Sequence, residues 1–230
     1  MLCWGLYPLR LEETQMDSRF RLGGIAALVC AMCFVIGFTM ILFVMPDIHV
    51  NGDERLQAIL AQPRLIQSWY LIIFVLFGIA LLLLNRSLYL PPAEASGQLQ
   101  LIGALIGYVW AAYVFAIGFI SVLTIEYLLH QSATQIEQAW PAIFAIQTGL
   151  GDGVEWIGGI WMVMINLSLY YHRVVSRQLS VYGGIVGITG LFTLYPPFAA
   201  VGGVFGVLQI LWFCWLGSLL LRQKVRLLPT

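Results

Sequence analysis

Charge is what this sequence has least of. Eleven Lys and Arg and eleven Asp and Glu are spread over 230 residues, 10% of the chain, against roughly 25% in an ordinary soluble domain. Hydrophobic residues make up 60%, and the mean hydropathy is +0.89. Such a chain has no polar coat to turn toward water, so lipid must be its solvent. Basic and acidic residues cancel to a formal net charge of zero, which removes the electrostatic footprint that nucleic-acid binding requires. Cysteine is scarce as well. Cys30 and Cys33 have the C-x-x-C spacing of a redox pair. They lie inside an apolar run, where thiolates form poorly, and read as small core residues. The three histidines offer no facing pair deep in a span for a haem. No hydrolase triad, phosphate loop or nucleotide fingerprint is present, nor a repeat of 20–50 residues.

Long apolar runs stand in place of these features. A transmembrane helix needs about 20 mostly apolar residues, and six segments meet or approach that length: about 22–46, 66–85, 101–129, 151–171, 180–197 and 200–221. The expected fold is all-α, a polytopic bundle of six transmembrane helices over 22–222. A segment 1–21 precedes it and a basic tail 223–230 follows. Met16 opens MDSRFRLGG, so residues 1–15 read as an upstream start or a loose tail. Pro196-Pro197 closes the fifth span, since proline cannot continue the helical ladder. The segments 47–65 and 130–150 read as outer loops too short to hold a core. Within the first, DERLQAILAQ reads as a short amphipathic helix.

Orientation follows from the cations. Arg10, Arg19, Arg21, Arg86, Arg173, Arg177, Arg222, Lys224 and Arg226 fall on one side, and Arg55 and Arg64 on the other. Positive charge stays cytoplasmic, so both termini are expected inside. Glycines at i,i+4 (Gly103/Gly107, Gly183/Gly187, Gly202/Gly206) allow close helix approach in lipid. Packing within the bundle is the preferred reading of these faces; a homodimer or protein partner is the other. Asn166 and Gln209, the main polar residues at midplane depth, read as interhelical hydrogen bonds. Trp4, Trp69, Trp140, Trp156, Trp212 and Trp215 read mostly as interfacial rings.

The ionisable groups gather toward the outer ends of the spans. Glu126 and His130 share a helix face at i,i+4 near the end of span three. Asp152 and Glu155 stand at i,i+3 near the start of span four, and Asp47 and His49 follow span one. Packed together, these six would line a shallow outer pocket able to bind a metal or relay protons. The simpler reading is a set of solvated helix ends. The stretch GLGDGVEW (149–156) sharpens the choice. In the leading reading Gly149 and Gly151 break the preceding segment, Asp152 caps the fourth span and Glu155 stands at N3, as in a capping box. A second reading pairs Glu155 with Glu126 as an ion or proton site. A third notes that Gly149-Leu150-Gly151-Asp152 resembles the Gly-x-Gly-Asp motif of presenilin-like and prepilin-type peptidases, which need a second aspartate. Asp17, Asp47 and Asp53 all lie outside spans, and the Pro-Ala-Leu element is absent. Asp47-Ile-His49-Val-Asn51-Gly52 opens like a calcium loop but would close on Ala58 rather than an acid.

Taken whole, residues 20–222 resemble a bacterial family of six-span membrane proteins with no assigned function. The resemblance is carried by RLGGIAALVCAMCFVIG, GGIWMVMINLSLYYHRVVSRQLSVYGGIVGITG and LQILWFCWLGSLLLR. It implies an integral inner-membrane protein and carries over no activity, cofactor or site residue. The expectation is a non-enzymatic accessory subunit or lipid- or small-molecule-handling component with a polar site on the external face. The alternative is an ion- or proton-coupled carrier, or less favourably a membrane peptidase using Asp152.

Overall fold

The structure, a computed structural model, describes residues 7–46, 52–89, 97–151 and 154–222. Asp47, His49 and Asp152, three of the sequence candidates, lie outside the described residues. Everything regular among the described residues is helical. Helix α1 (Tyr7–Thr39) continues as a π-helical turn over Met40–Val44, α2 is Gly52–Ala61, and α3 is Pro63–Tyr70. A second π-helical stretch, Leu71–Leu76, joins α3 to α4 (Phe77–Leu88) as one rod. Then come α5 (Gly97–Leu128), α6 (Ala133–Gly151), α7 (Val154–Tyr171), α8 (Arg177–Phe192), a 3-10 turn Pro196–Phe198, and α9 (Val201–Leu221). The segments Ser18–Val44, Pro63–Leu88, Gly97–Leu128 and Val201–Leu221 are long and apolar enough to cross a membrane.

The fourth and fifth expected spans are the shorter α7 and α8, of 18 and 16 residues. Along α8, Val181, Ile185, Ile188 and Phe192 form an outward apolar stripe, each about half exposed. The turn between these helices has an identifiable cause. Arg173 adopts the left-handed region (φ 51°), and the N–H of Val174 reaches the carbonyl of Leu169 while that of Arg173 reaches Tyr170. This is a Schellman ending, completed by burial of Val174 and Leu169. Ser176 then caps α8 by accepting from the Leu179 N–H at 3.3 Å.

The second outer segment differs from expectation. Residues 130–150 are not a loop: Ala133–Gly151 is a 19-residue helix with Pro141 inside it, and Gly149 and Gly151 continue that helix instead of breaking it. The expected short helix in the first outer segment is α2, followed by α3 with Pro63 in its first turn.

Lipid offers helices no hydrophobic incentive to associate, so close packing and interhelical hydrogen bonds must hold the bundle. Both meet at two asparagines. The Asn85 side chain on α4 accepts from the Trp161 indole N–H of α7 (2.9 Å) and donates to the Ala104 carbonyl of α5 (2.9 Å). Asn166 on α7 accepts from the Trp212 indole N–H of α9 (3.0 Å) and donates to Met162 of its own helix (2.8 Å). Glycine makes the room for each. A Cβ on Gly107 would lie 2.4 Å from the Asn85 oxygen, and one on Gly183 would lie 2.3 Å from Asn166. Around these pins runs a column of rings, Phe34, Phe77, Trp110, Trp161 and Trp212, joined by centroid distances of 5.4–5.9 Å. Trp212 is therefore a core residue, not an interfacial one, and Trp69 and Trp140 are buried too. Gln209 is fully buried, but neither end of its amide has a hydrogen-bond partner.

Helices α7 and α8 approach closely enough that a Cβ on Gly159 would lie 2.7 Å from the Gly187 carbonyl oxygen, whereas one on Gly184 meets nothing within 4 Å. Gly159→Ala should therefore destabilise the protein by about 1–3 kcal/mol through overpacking. Gly184→Ala should be neutral or stabilising by up to about 1 kcal/mol through helix propensity. Thermal unfolding of the purified protein in detergent checks both; similar shifts for the two variants would mean that α7 and α8 do not touch as described.

Candidate functional site

One end of the bundle carries α2 and α6 in addition to the ends of the long helices. There a smaller cluster of buried side chains, including Ile59, Ile66, Trp69, Tyr70, Ile125 and Trp140, packs around the helix ends. The Trp140 indole N–H donates to the Gly52 carbonyl at 2.8 Å, and the Arg55 guanidinium lies over the Phe144 ring at 5.1 Å. These contacts tie α2 to α6.

Beneath them lies a cavity of about 330 Å³ walled by α1, the α3–α4 rod, α5, α6, α7 and α9. That is within the size range of small-molecule sites. On α5 its lining runs from Ser121 to Trp110, and this eleven-residue separation is a rise of about 16 Å. The wall is mostly apolar and a third of its residues are aromatic, with Phe34, Phe74, Phe77, Trp110 and Phe205 toward the inner part. Arg55, Gln147, Thr148 and Glu155 lie toward the α2–α6 end. Both π-helical stretches border the cavity, through Ile41 in the first and Ile73 and Phe74 in the second. A π turn rotates the side chains that follow it and is frequent at functional sites.

The lining holds polar groups that the protein itself leaves without partners. They are the indole N–H groups of Trp69 and Trp110, both ends of the Gln147 amide and the Thr148 hydroxyl. Buried polar groups are almost always paired, and five of the ten unpartnered buried side-chain atoms among the described residues belong to this lining, the others being at Arg19, His172, Ser180 and Gln209. Arg55 and Glu155, by contrast, already interact within the protein.

The sequence candidates separate. Glu155 lies in the first turn of α7 and lines the cavity, while Asp152, its partner in the capping pattern, is outside the described residues. Glu126 lies elsewhere, in a shallow depression on the outside of α3 and α5 lined also by Arg64, Gln67 and Leu123. Its carboxylate accepts from Arg64 at 2.6 Å and from Gln67 at 3.3 Å. His130 shares its face as expected, but its Nδ1 bonds the backbone carbonyl of Glu126 (2.8 Å), not the carboxylate. The structure thus does not bring Glu126 and Glu155 into one pocket. Among the described residues no three His, Cys, Asp or Glu side chains gather as a metal site. The residues that sequence reasoning passed over are Trp69, Trp110, Gln147, Thr148 and Arg55. A polar Gln147-Thr148 pair inside the apolar 139–150 was the available signal.

Comparison with family models, with curated proteins and with solved structures finds no match, so the geometry alone must carry the functional reading.

The Arg64–Glu126 pair is open to solvent, with its side chains 71% and 42% exposed, and exposed pairs contribute little. Arg64→Ala should leave the thermal midpoint nearly unmoved. Asn85→Ala strands the buried Trp161 N–H and should cost about 1–3 kcal/mol. Equal losses in the two variants would refute this ranking.

Proposed function

We propose that this chain is an integral membrane protein of six spans with both termini in the cytoplasm, and that it holds a small amphipathic molecule in the α2–α6 end cavity. Four spans stand on length and composition. The other two are supported by the lipid-type stripe on α8 and by the antiparallel packing of α7 and α8 inside the same bundle. The orientation rests on cation placement. Arg19, Arg86, Arg173, Arg177 and Arg222 belong to the end opposite the cavity, while Arg55 and Arg64 belong to the cavity end. By the positive-inside rule the cavity then opens toward the external face of a bacterial inner membrane.

The observation that carries the binding reading is the set of unpartnered buried polar groups around a mostly apolar cavity. A ligand with an apolar body and a polar end would satisfy both parts of the lining. We read the protein as a binding or handling component and not as a catalyst. The groups left for the ligand are indoles, an amide and a hydroxyl, which are suited to holding a molecule in place. The rival reading, an ion- or proton-coupled carrier, is favoured by Glu155, the one acid lining the cavity among the described residues.

The test is native mass spectrometry of the full chain extracted in polymer-bounded nanodiscs. A bound small molecule is expected, and Val114→Phe, which fills the cavity wall, should remove it while leaving the fold intact. A chain that carries no ligand, or a ligand retained unchanged in Val114→Phe, would overturn the reading. Coupling to protons would instead show as ligand release that depends on pH in the wild type and not in Glu155→Gln. Labelling of single cysteines introduced at Arg64 and Arg177 in intact cells checks the orientation, with only the first expected to react from outside.

A further inference from the structure

The cavity also limits what kind of amphiphile it can take. This step rests on the reading that an amphipathic molecule binds there, and it concerns the chemistry of that molecule's head and the length of its tail. Charge at the mouth is already engaged. Arg55 and Glu155 each interact within the protein, and Arg55 lies over Phe144. The mouth therefore holds one cation and one acid among its described residues, of opposite sign and each already in contact with the protein. What remains unpaired toward the mouth is uncharged: the Trp69 N–H, both ends of the Gln147 amide and the Thr148 hydroxyl. Together they offer donors and acceptors at once. A carboxylate or phosphate head only accepts, and would leave the Gln147 oxygen facing another oxygen. A hydroxyl-rich or amide head can both donate and accept, and so can satisfy the whole set. A charged head would also bear a desolvation penalty that an uncharged one avoids.

The inner part sets the tail. The lining spans about 16 Å along α5, close to half of a hydrocarbon core about 30 Å thick. That is the length of a single acyl chain in one leaflet. The wall there is aromatic and aliphatic, and its one unpaired polar atom is the Trp110 N–H, beside the rings of Phe77 and Trp161. A volume of about 330 Å³ is at the small end of ligand sites, which suits one chain better than two. We infer that the cavity is a site for a single-chain lipid with an uncharged, hydrogen-bonding head, of the monoacylglycerol class. The head would lie between Trp69 and Gln147-Thr148, and the tail would lie along Phe34, Phe77 and Phe205.

The experiment compares three probes with the same dodecanoyl tail: monododecanoylglycerol, dodecanoate and dodecanoyl-lysophosphatidylcholine. Each is titrated into the full chain in phosphatidylcholine nanodiscs, because single-chain detergents would themselves compete for the cavity. Binding is read by native mass spectrometry and by intrinsic fluorescence. The monoacylglycerol is expected to bind saturably and at least tenfold more tightly than either charged probe. Gln147→Leu should erase that preference while leaving dodecanoate binding unchanged, and Val114→Phe should abolish binding of all three. Equal or tighter binding of a charged probe that is still lost in Val114→Phe would overturn the headgroup assignment and leave the cavity reading standing. Failure of all three to bind, or binding that ignores Val114→Phe, would overturn both.

Discussion

The bundle depends on two amide side chains placed where only hydrogen bonds and close contact can hold helices together. Asn85 and Asn166 each accept from a buried indole and donate to a carbonyl, so their hydrogen-bonding capacity is largely spent inside the protein. Each needs a neighbour without a side chain, and Gly107 and Gly183 supply that space. Asparagine, tryptophan and glycine thus work as one unit, and changing any member leaves either a clash or a stranded polar group. Because Asn85 joins α4, α5 and α7, and Asn166 joins α7 to α9, helix α7 is the shared partner of both pins. The ring column from Phe34 to Trp212 follows the same route through the core.

At the α2–α6 end the logic reverses. There the protein leaves polar groups unpaired, interrupts two helices with π turns, and keeps an open volume. The frame is not free of such groups either, since Gln209, Ser180 and His172 also keep buried polar atoms without partners, but only at the α2–α6 end do they line an open volume. Helix α6 belongs to that end. It rests on α2 through Trp140 and Phe144, and near its end a side chain at Gly149 or Gly151 would meet nothing within 4 Å.

Much of the frame was legible in the sequence because lipid imposes long runs, and long runs are hard to misread. The small-residue spacing marked close approaches at Gly107, Gly183, Gly187 and Gly206 but not at Gly103 or Gly202, and the close glycines make room for asparagine and phenylalanine side chains as well as for backbone. Asn166 behaves as expected. Gln209 does not, because a side chain's depth says nothing about whether an acceptor faces it. The site was read less well. Periodicity places Glu126 and His130 on one face, but it cannot say which way that face looks. Here it looks outward, toward Arg64 and the depression on α5. Helix α6 was missed because its mixed composition and internal Pro141 imitate a loop. A proline in a helix is tolerated where surrounding structure compensates for the lost bond. Tryptophans were assigned to the interface on statistics, yet three of them are core or cavity residues, and only the fold distinguishes these roles.

The short hairpin of α7 and α8 has a bearing on the membrane itself. In the six-span arrangement, the 16 residues of α8 rise only about 24 Å, several ångströms less than an average hydrocarbon core of about 30 Å. The long α5, at 32 residues, has length to spare and can tilt. In that arrangement the apolar surface would be shorter along the α8 helix than along α5, with exposed Leu194, Tyr195 and Phe198 extending it past the helix end. Lipids against α8 must shorten or the protein must lean, at a cost of fractions of a kcal/mol per ångström. If α8 does cross, such a mismatch would favour a thinner bilayer on that side of the protein than beside α5.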